Sequence, residues 1–178
     1  MNKKDIIRGI LVLIIITALA GYLLAFTYEK TKPAIEKQQK EEGNRIDREI
    51  FPEGVNFVEI KENGVNYSTV LDAEGKEIGK SFTIISYGYG GEIKIKVGVD
   101  ENLKIKGVKI LQHNETPGLG AKITDEKFLS QFKEKGYNQI YLKKDNPEGE
   151  IDSITGATIS SRAVTDGIRK LFEQMEIK

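Results

Sequence analysis

Apolar and polar residues follow three successive patterns along the chain. Residues 9–28 carry no charged side chain, and a helix of about 20 such residues spans the roughly 30 Å hydrocarbon core of a bilayer. Residues 29–51 are rich in charge, which predicts a helical stalk that is interrupted near Gly43. Alternating patterns then predict a folded domain over residues 52–178.

The N-terminal apolar run favours a single transmembrane anchor over a cleavable signal peptide. The "ALA" at residues 18–20 resembles a cleavage site, but the apolar run continues beyond it. Three basic residues lie within residues 1–8, and four lysines follow the run. Because lysine and arginine favour the cytoplasmic side, the pattern gives a mild preference for a cytoplasmic tail at residues 1–8 and a domain outside.

The first half of the domain has the pattern of antiparallel strands. The segments "SFTIISYGYGG" and "EIKIKVGVDENLKIKGVKILQH" alternate apolar and polar residues, with a turn at residues 100–102. Such alternation is typical of a sheet with one buried face. The pair Asn63–Gly64 and the glycine at position 75 predict two further hairpin turns.

Helices complete the predicted domain. A first helix is predicted from a Thr124 cap to Gly136, with Phe128, Leu129 and Phe132 buried, and "NQIYLKK" at residues 138–144 predicts another strand. The last helix is predicted from about Ser160, with an apolar stripe at Val164, Ile168, Leu171, Phe172 and Met175. The fold class is therefore α+β, an antiparallel sheet with packed helices, preceded by one transmembrane helix and a helical stalk.

Composition excludes several kinds of chemistry. The chain holds 27 basic and 27 acidic residues, and this zero net charge argues against nucleic acid as a partner. It has no cysteine, so thiol chemistry and iron–sulfur ligation by cysteine are excluded. His113 is the one histidine, which cannot build a histidine-rich metal site. No metal site and no catalytic residue are predicted, and difficult chemistry would require an added cofactor.

The stretch "DSITGATISS" precedes the last helix and could bind a phosphate. A helix N-terminus offers unpaired N–H groups and a partial positive charge. Gly156 permits a tight turn, Ala157 leaves access, and Arg162 adds a positive charge. The alternative is an ordinary helix cap provided by Ser160 or Ser161, and the residue pattern alone leaves both open.

The loop "HNETPGLGAK" is the second glycine-bearing candidate. Gly118 and Gly120 lack side chains, so backbone can approach a flat ligand closely. Glu115 and Thr116 offer polar groups, and Leu119 offers an apolar surface. An ordinary loop remains the alternative, and "SYGYGGE" is a third, weaker glycine-rich signal.

Three motifs in this order resemble a known family. "GYGGEIKIKVGVD", "HNETPGLGAKI" and "DSITGATISSRAVTDGI" resemble the FMN-binding domain of the G subunit of Rnf complexes. The C subunit of the sodium-pumping NADH:quinone reductase is a close relative, and the short chain favours the G subunit. "DSITGAT" matches the pattern D-x-x-S/T-G-A-T, at which a flavin transferase attaches FMN to the last threonine.

The resemblance implies the residues of a flavin site. Thr158 would carry FMN as a phosphoester, made by a Mg-dependent flavin transferase that uses FAD as donor. The loop of residues 115–120 would lie against the isoalloxazine ring, and Asp152 would help the transferase to recognise the motif. The remaining cofactor-binding residues would be Glu115, Thr116, Gly118, Leu119, Gly120, Gly156, Ala157, Ser160 and Ser161.

The resemblance also implies a function and a location. The chain would be the electron-transfer subunit of an ion-translocating oxidoreductase of the ferredoxin:NAD type, with the other subunits of an Rnf-type complex as partners. It would be a single-pass protein of the cell (inner) membrane, anchored in the lipid bilayer, with the domain at residues 52–178 outside the cytoplasm. The alternatives are a stand-alone extracytoplasmic flavoprotein, the C subunit of a quinone reductase and, least favoured, an anchored binding module without redox function.

Overall fold

A computed structural model describes residues 3–62 and 65–176 of the chain. The predicted Asn63–Gly64 turn therefore lies outside the described residues. The chain divides into two compact units, Met1–Gly43 and Asn44–Lys178. Within the described part, one segment, Ile7–Ile35, is long and apolar enough to cross a membrane. This agrees with the predicted apolar N-terminal helix.

The first helix, α1, extends over Lys3–Ile50 without the interruption predicted near Gly43. Glycine lowers helix stability by only about 1 kcal/mol relative to alanine, too little to end a long helix by itself. The last turns are held by packing, because Ile46 and Ile50 are buried in the second unit. The prediction of a break was wrong because it weighed a local propensity without this tertiary contact.

Five strands form one antiparallel sheet in the order β1-β2-β3-β4-β5. They are β1 (Asn56–Glu62), β2 (Val65–Leu71), β3 (Glu77–Tyr87), β4 (Glu92–Asp100) and β5 (Ile105–His113). The predicted turn at Gly75 is confirmed, with a φ of 80° that suits glycine. The turn after β4 is confirmed as well, since the Asp100 carboxylate accepts the N–H groups of Asn102 and Lys104.

One face of the sheet is covered by the last helix, α3 (Thr158–Glu176), and by the turns before it. The apolar stripe predicted for this helix is confirmed, since it packs in the main core. Strand β4 contributes every second side chain to this core, as a period of two requires. On β4 these side chains are Ile93, Ile95, Val97 and Val99.

The opposite face of the sheet receives the end of α1. Ile50 and Phe51 pack there with Ile46 and Val70 as a second, smaller core. The intervening positions of the strands make room for them, because Gly98 lies on this face of β4. A Cβ atom at Gly98 would lie only 2.3 Å from Ile50 Cγ2. The absence of a side chain therefore permits the close approach of helix and sheet.

A buried ion pair joins the same two elements. The Lys96 ammonium lies 3.0 Å from the Asp47 carboxylate, and both side chains are nearly excluded from solvent. The Ser81 hydroxyl donates a second hydrogen bond to Asp47. Helix α1 thus contributes both an apolar and a charged contact to the domain.

The segment before residue 133 is not the single helix predicted. It consists of a 3-10 helix (Gly120–Thr124), the one-turn helix α2 (Glu126–Leu129) and a second 3-10 helix (Ser130–Phe132). The extended backbone of Asp125 separates the first two, and the Thr124 hydroxyl bonds back to Ala121 O instead of capping α2. The predicted burial of Phe128, Leu129 and Phe132 is nevertheless confirmed.

The strand predicted at residues 138–144 is also absent. Tyr137–Gln139 form a 3-10 turn, and Leu142 makes a single parallel bridge with Ile151. Ile140 and Leu142 are both buried, so the alternating pattern correctly indicated burial. Alternation alone does not provide a neighbouring strand, and the backbone here pairs locally instead.

Candidate functional site

The turn that leads into α3 is fixed by its own backbone and by Ser161. Gly156 has a φ of +77°, a conformation that favours glycine. The buried Ser161 hydroxyl accepts the N–H of Ile154 at 3.0 Å and donates to Ala157 O at 2.9 Å. Helix α3 begins at Thr158, two residues before the predicted start, so Ser161 lies within the helix and braces the turn. Its predicted role as the helix cap is wrong.

Thr158 is the first residue of α3 and its side chain is half-buried. Its hydroxyl oxygen accepts a hydrogen bond of 2.7 Å from the ammonium of Lys144. The position combines a hydroxyl with the start of a 19-residue helix, where backbone N–H groups favour an anion. Lys144 was not identified from the sequence, because it lies 14 positions away in a segment predicted to be a strand.

The neighbours of Lys144 hold the same segment at two other points. Lys143 contacts Asp152 at 2.8 Å, and Asp145 accepts two hydrogen bonds of 2.7 Å from Arg162. The hydrogen bond from the Arg162 guanidinium lowers the pKa of the Asp145 carboxyl below its usual value. The positive charge predicted at Arg162 is therefore paired with Asp145, and the cation in contact with Thr158 is Lys144.

Glu115 links the three glycine-bearing motifs. Its side chain is buried, with one carboxylate oxygen accepting the N–H of Gly90 at 2.9 Å and the other accepting the Ser160 hydroxyl. Ser160 is therefore not the helix cap that was predicted as one alternative, since it lies inside the first turn of α3 and bonds to Glu115. The His113 Nδ1 atom accepts the N–H of Glu115 at 3.2 Å, which gives this histidine a structural contact.

Glycines surround Glu115 because side chains would not fit there. A Cβ atom at Gly120 would lie 2.6 Å from a Glu115 carboxylate oxygen and 2.8 Å from Ser160 Oγ. A Cβ atom at Gly88 would lie 2.2 Å from the other oxygen of the carboxylate. The space beside Gly120 is thus occupied by the protein itself. Gly118, with a φ of +78°, has open space beside it.

Two exposed apolar side chains accompany the charged groups near Thr158. Leu119 is 48% exposed and Ile159 is 52% exposed. Leu119 lies beside the turn, because a Cβ atom at Gly156 would be 3.3 Å from Leu119 Cδ2. Thr116 is exposed in the same loop, whereas Ala157 is buried. The structure therefore brings Leu119, Gly156 and Thr158 to one surface and places Glu115, Gly120 and Ser160 beneath it.

Two grooves adjoin this segment. One, of about 510 Å³, is lined by Asp152, Thr155 and Lys122 among others. The other, of about 650 Å³, lies between β3 and α3 and is lined by Tyr87, Ile159 and others. Among the described residues, no cluster of three or more histidine, cysteine, aspartate or glutamate side chains could hold a metal ion.

The site combines features that favour an anion with exposed apolar side chains, and among the described residues the hydrogen-bond partner of the Thr158 hydroxyl is not a base. The hydrogen-bond partner of the hydroxyl is an ammonium, which has three donors and no lone pair to accept a proton. A threonine hydroxyl is a weak nucleophile unless a base or a metal activates it. Activation of the Thr158 hydroxyl would therefore need a group other than Lys144.

The sequence is similar to a known domain family and to subunits of one kind of enzyme complex. Residues 88–173 match the model of the FMN-binding domain. The G subunit of the ion-translocating oxidoreductase complex of Methanosarcina acetivorans is 33% identical, over 97% of this chain and 95% of its own length. The G subunit of the proton-translocating ferredoxin:NAD(+) oxidoreductase complex of Clostridium ljungdahlii is also 33% identical, over 88% of this chain and 84% of its own.

A third relative and two crystal structures are also similar to this chain. The G subunit of the Na(+)-translocating ferredoxin:NAD(+) oxidoreductase complex of Acetobacterium woodii is 32% identical, over 94% of this chain and 90% of its own length. NqrC of Shewanella oneidensis has a TM-score of 0.52 at 23% identity, over 72% of this chain and 74% of its own. The C subunit of the Na(+)-translocating NADH-quinone reductase from Parabacteroides distasonis has a TM-score of 0.50 at 23% identity, over 60% and 58%. These two structures share the fold.

Proposed function

The chain belongs to the family of G subunits of ion-translocating oxidoreductase complexes, and from this premise we propose that it relays electrons through FMN attached covalently to Thr158. As a member of this family it is a redox subunit of a multisubunit enzyme. The observation that carries the proposal is the Thr158 hydroxyl, which stands at the start of α3 beside the Lys144 ammonium.

The residues around Thr158 fit a phosphate-linked flavin. A phosphate on the hydroxyl would meet the helix N-terminus and a lysine, and both favour an anion. Leu119 and Ile159 offer exposed apolar side chains next to the turn, as a flat aromatic ring requires. Thr116 would offer it a hydroxyl, and Gly118 leaves the backbone open to close approach. When bound, the flavin supplies the redox chemistry.

Attachment would use a second enzyme. Among the described residues, the hydroxyl has an ammonium as its hydrogen-bond partner, and an ammonium cannot act as a base towards it. A Mg-dependent flavin transferase with FAD as donor would supply the base and form the phosphoester. Asp152, Gly156 and Ala157 would then serve the recognition of the motif by that transferase as well as the turn itself.

A covalent bond suits a location outside the cytoplasm, where free FMN would diffuse away. We propose that the N-terminal helix anchors the chain in the cell membrane as a single pass and that the domain is extracytoplasmic. Two relatives are named as G subunits of ferredoxin:NAD(+) oxidoreductase complexes. Their names support the proposal that the partners of this chain are the membrane subunits of such a complex. In that complex this chain would pass electrons between neighbouring cofactors.

Mass spectrometry tests the covalent attachment. The full chain co-expressed with a flavin transferase is expected to gain the mass of FMN minus water and to stay yellow after denaturation. Thr158→Ala should abolish the gain, whereas Ser153→Ala, which removes another hydroxyl of the same segment, should retain it. Covalent flavin in the Thr158→Ala variant would refute the assignment.

Purification in mild detergent tests the partnership. A tagged chain expressed from its own genome is expected to bring integral membrane subunits with it. Migration of the yellow protein alone would instead favour a stand-alone flavoprotein.

A further inference from the structure

Three consecutive side chains of the loop at residues 142–149 hold the segment that contains Thr158. Lys143 pairs with Asp152, Lys144 bonds to Thr158, and Asp145 takes the guanidinium of Arg162 in a two-point contact. The outer two contacts join opposite charges and fix the loop on both sides. The middle contact differs, because it directs a cation at a neutral hydroxyl.

The loop that presents Lys144 is shaped by its own bonds. The N–H groups of Asp145 and Asn146 both donate to Leu142 O, and the Asn146 side chain accepts the N–H of Glu148 at 2.9 Å. Gly149 permits the return of the loop, since a Cβ atom there would lie 2.6 Å from Tyr141 O. The backbone at Lys144 is therefore set before any ligand arrives, which lowers the entropic cost of using its side chain.

We infer that Lys144 is the positioning residue for flavin attachment to Thr158 and the counter-ion of the phosphodiester afterwards. An ammonium only donates hydrogen bonds, so Thr158 Oγ1 is the acceptor and its proton remains free for an external base. A cation at this distance favours the developing negative charge on the oxygen as the proton leaves. The inference rests on the proposed covalent attachment at Thr158.

The attachment step balances with the reactants already named. A bond forms between Thr158 Oγ1 and the phosphorus of the FMN half of FAD. The bond from that phosphorus to the bridging oxygen breaks, and AMP leaves with the electron pair. The hydroxyl proton goes to a base of the transferase. The new diester carries one negative charge, which Lys144 would face while Arg162 stays paired with Asp145.

Kinetics of attachment provide the test, with the full-length chain in detergent, a purified flavin transferase and FAD. The variants are Lys144→Met, which keeps the length of the side chain without its charge, Lys144→Arg and the control Lys133→Met, which removes the charge of an exposed lysine outside this loop. The rate is followed by the gain in mass. We expect Lys144→Met to lower kcat about 10- to 100-fold with little change in KM for the chain, because charge-assisted hydrogen bonds have this strength. Lys144→Arg should recover most of the rate, and Lys133→Met should resemble the wild type.

A spectroscopic measurement tests whether Lys144 is the counter-ion of the attached phosphodiester, independently of the rate of attachment. The phosphorus-31 resonance of the attached diester should shift in Lys144→Met, return towards its original position in Lys144→Arg and stay in place in Lys133→Met. Lys144 is exposed, so all variants should unfold at the same temperature. Equal melting by circular dichroism would verify that the changes are local.

The outcomes that overturn the inference differ from those that overturn the proposed function. Wild-type kcat and an unmoved phosphorus resonance in Lys144→Met would remove Lys144 from the site. A raised KM at constant kcat would make it a contact for the transferase instead, which also contradicts a positioning role. Flavin attachment that fails in the wild type, or persists in Thr158→Ala, would refute the function itself.

Discussion

At the scale of single residues, the site depends on contacts between positions far apart in the chain. The sequence motif could single out Thr158 as the predicted acceptor because the motif is contiguous. Glu115 was predicted as a polar residue of a loop that contacts the flavin, without its buried partners. The hydrogen bonds of Glu115 to Gly90 and Ser160 span 25 and 45 positions. A local sequence pattern cannot predict contacts at such separations. Lys144 was missed for the same reason. A contiguous motif can point to a candidate residue, whereas the tertiary fold determines what surrounds it.

Glu115→Ala tests the role of the buried carboxylate. The change leaves the N–H of Gly90 and the Ser160 hydroxyl without their acceptor, and unsatisfied buried polar groups cost about 1–3 kcal/mol each. We expect a clear loss of stability, measured by thermal unfolding of the full chain in detergent. Glu148→Ala, an exposed carboxylate in a nearby loop, should leave the melting temperature unchanged. Equal stability of the two variants would contradict the contacts described for Glu115.

At the scale of elements, the sheet and α3 were predicted correctly because their patterns are long and regular. The segments that form β3, β4 and β5 alternate with a period of two, and the buried stripe of α3 follows the helical period. The turns between residues 120 and 144 were not predicted, since runs of three to five residues are too short for any period to emerge. There the chain follows the shape of the core, and burial alone was predictable.

Gly98→Ala tests the close contact between the end of α1 and the sheet. The added Cβ would lie 2.3 Å from Ile50 Cγ2, and overpacking of this kind typically costs about 1–3 kcal/mol. Gly107→Ala is a matched control on the next strand, because its Cβ would lie at an ordinary 3.4 Å from the same isoleucine. The first variant should melt at a lower temperature and the second close to the wild type. Tolerance of both would mean that α1 does not pack here as described.

The ion pair of Asp47 and Lys96 gives an independent test of the same junction. Asp47→Ala leaves the Lys96 ammonium buried without a counter-ion, and breaking a buried pair costs about 3–5 kcal/mol. Replacing both partners with apolar side chains, as Asp47→Leu with Lys96→Met, should restore much of this loss. Thermal unfolding of Asp47→Leu, of Lys96→Met and of the double variant measures the coupling. Additive losses would contradict a direct interaction.

At the scale of the whole molecule, sequence and structure divide the chain into an apolar N-terminal helix and a domain that contains the site. The segment Ile7–Ile35 can cross a membrane by length and composition, while Thr158 and the residues around it belong to the unit that begins at Asn44. The side of the membrane on which that unit lies decides whether the flavin works outside the cytoplasm. Charge patterning favours the outside only mildly, because lysines follow the apolar run as well as precede it.

The absence of native cysteine makes the orientation directly measurable. Ala73→Cys places a thiol at an exposed position in the turn between β2 and β3, and Asp5→Cys places one in the N-terminal tail without removing a basic residue. We expect a membrane-impermeant maleimide to label Ala73→Cys in cells whose outer barrier is opened but whose cytoplasmic membrane is intact. Asp5→Cys should react only after lysis, because the positive tail is retained in the cytoplasm. The reverse pattern would put the domain and its flavin in the cytoplasm, where attachment would no longer be explained by the need to retain the cofactor.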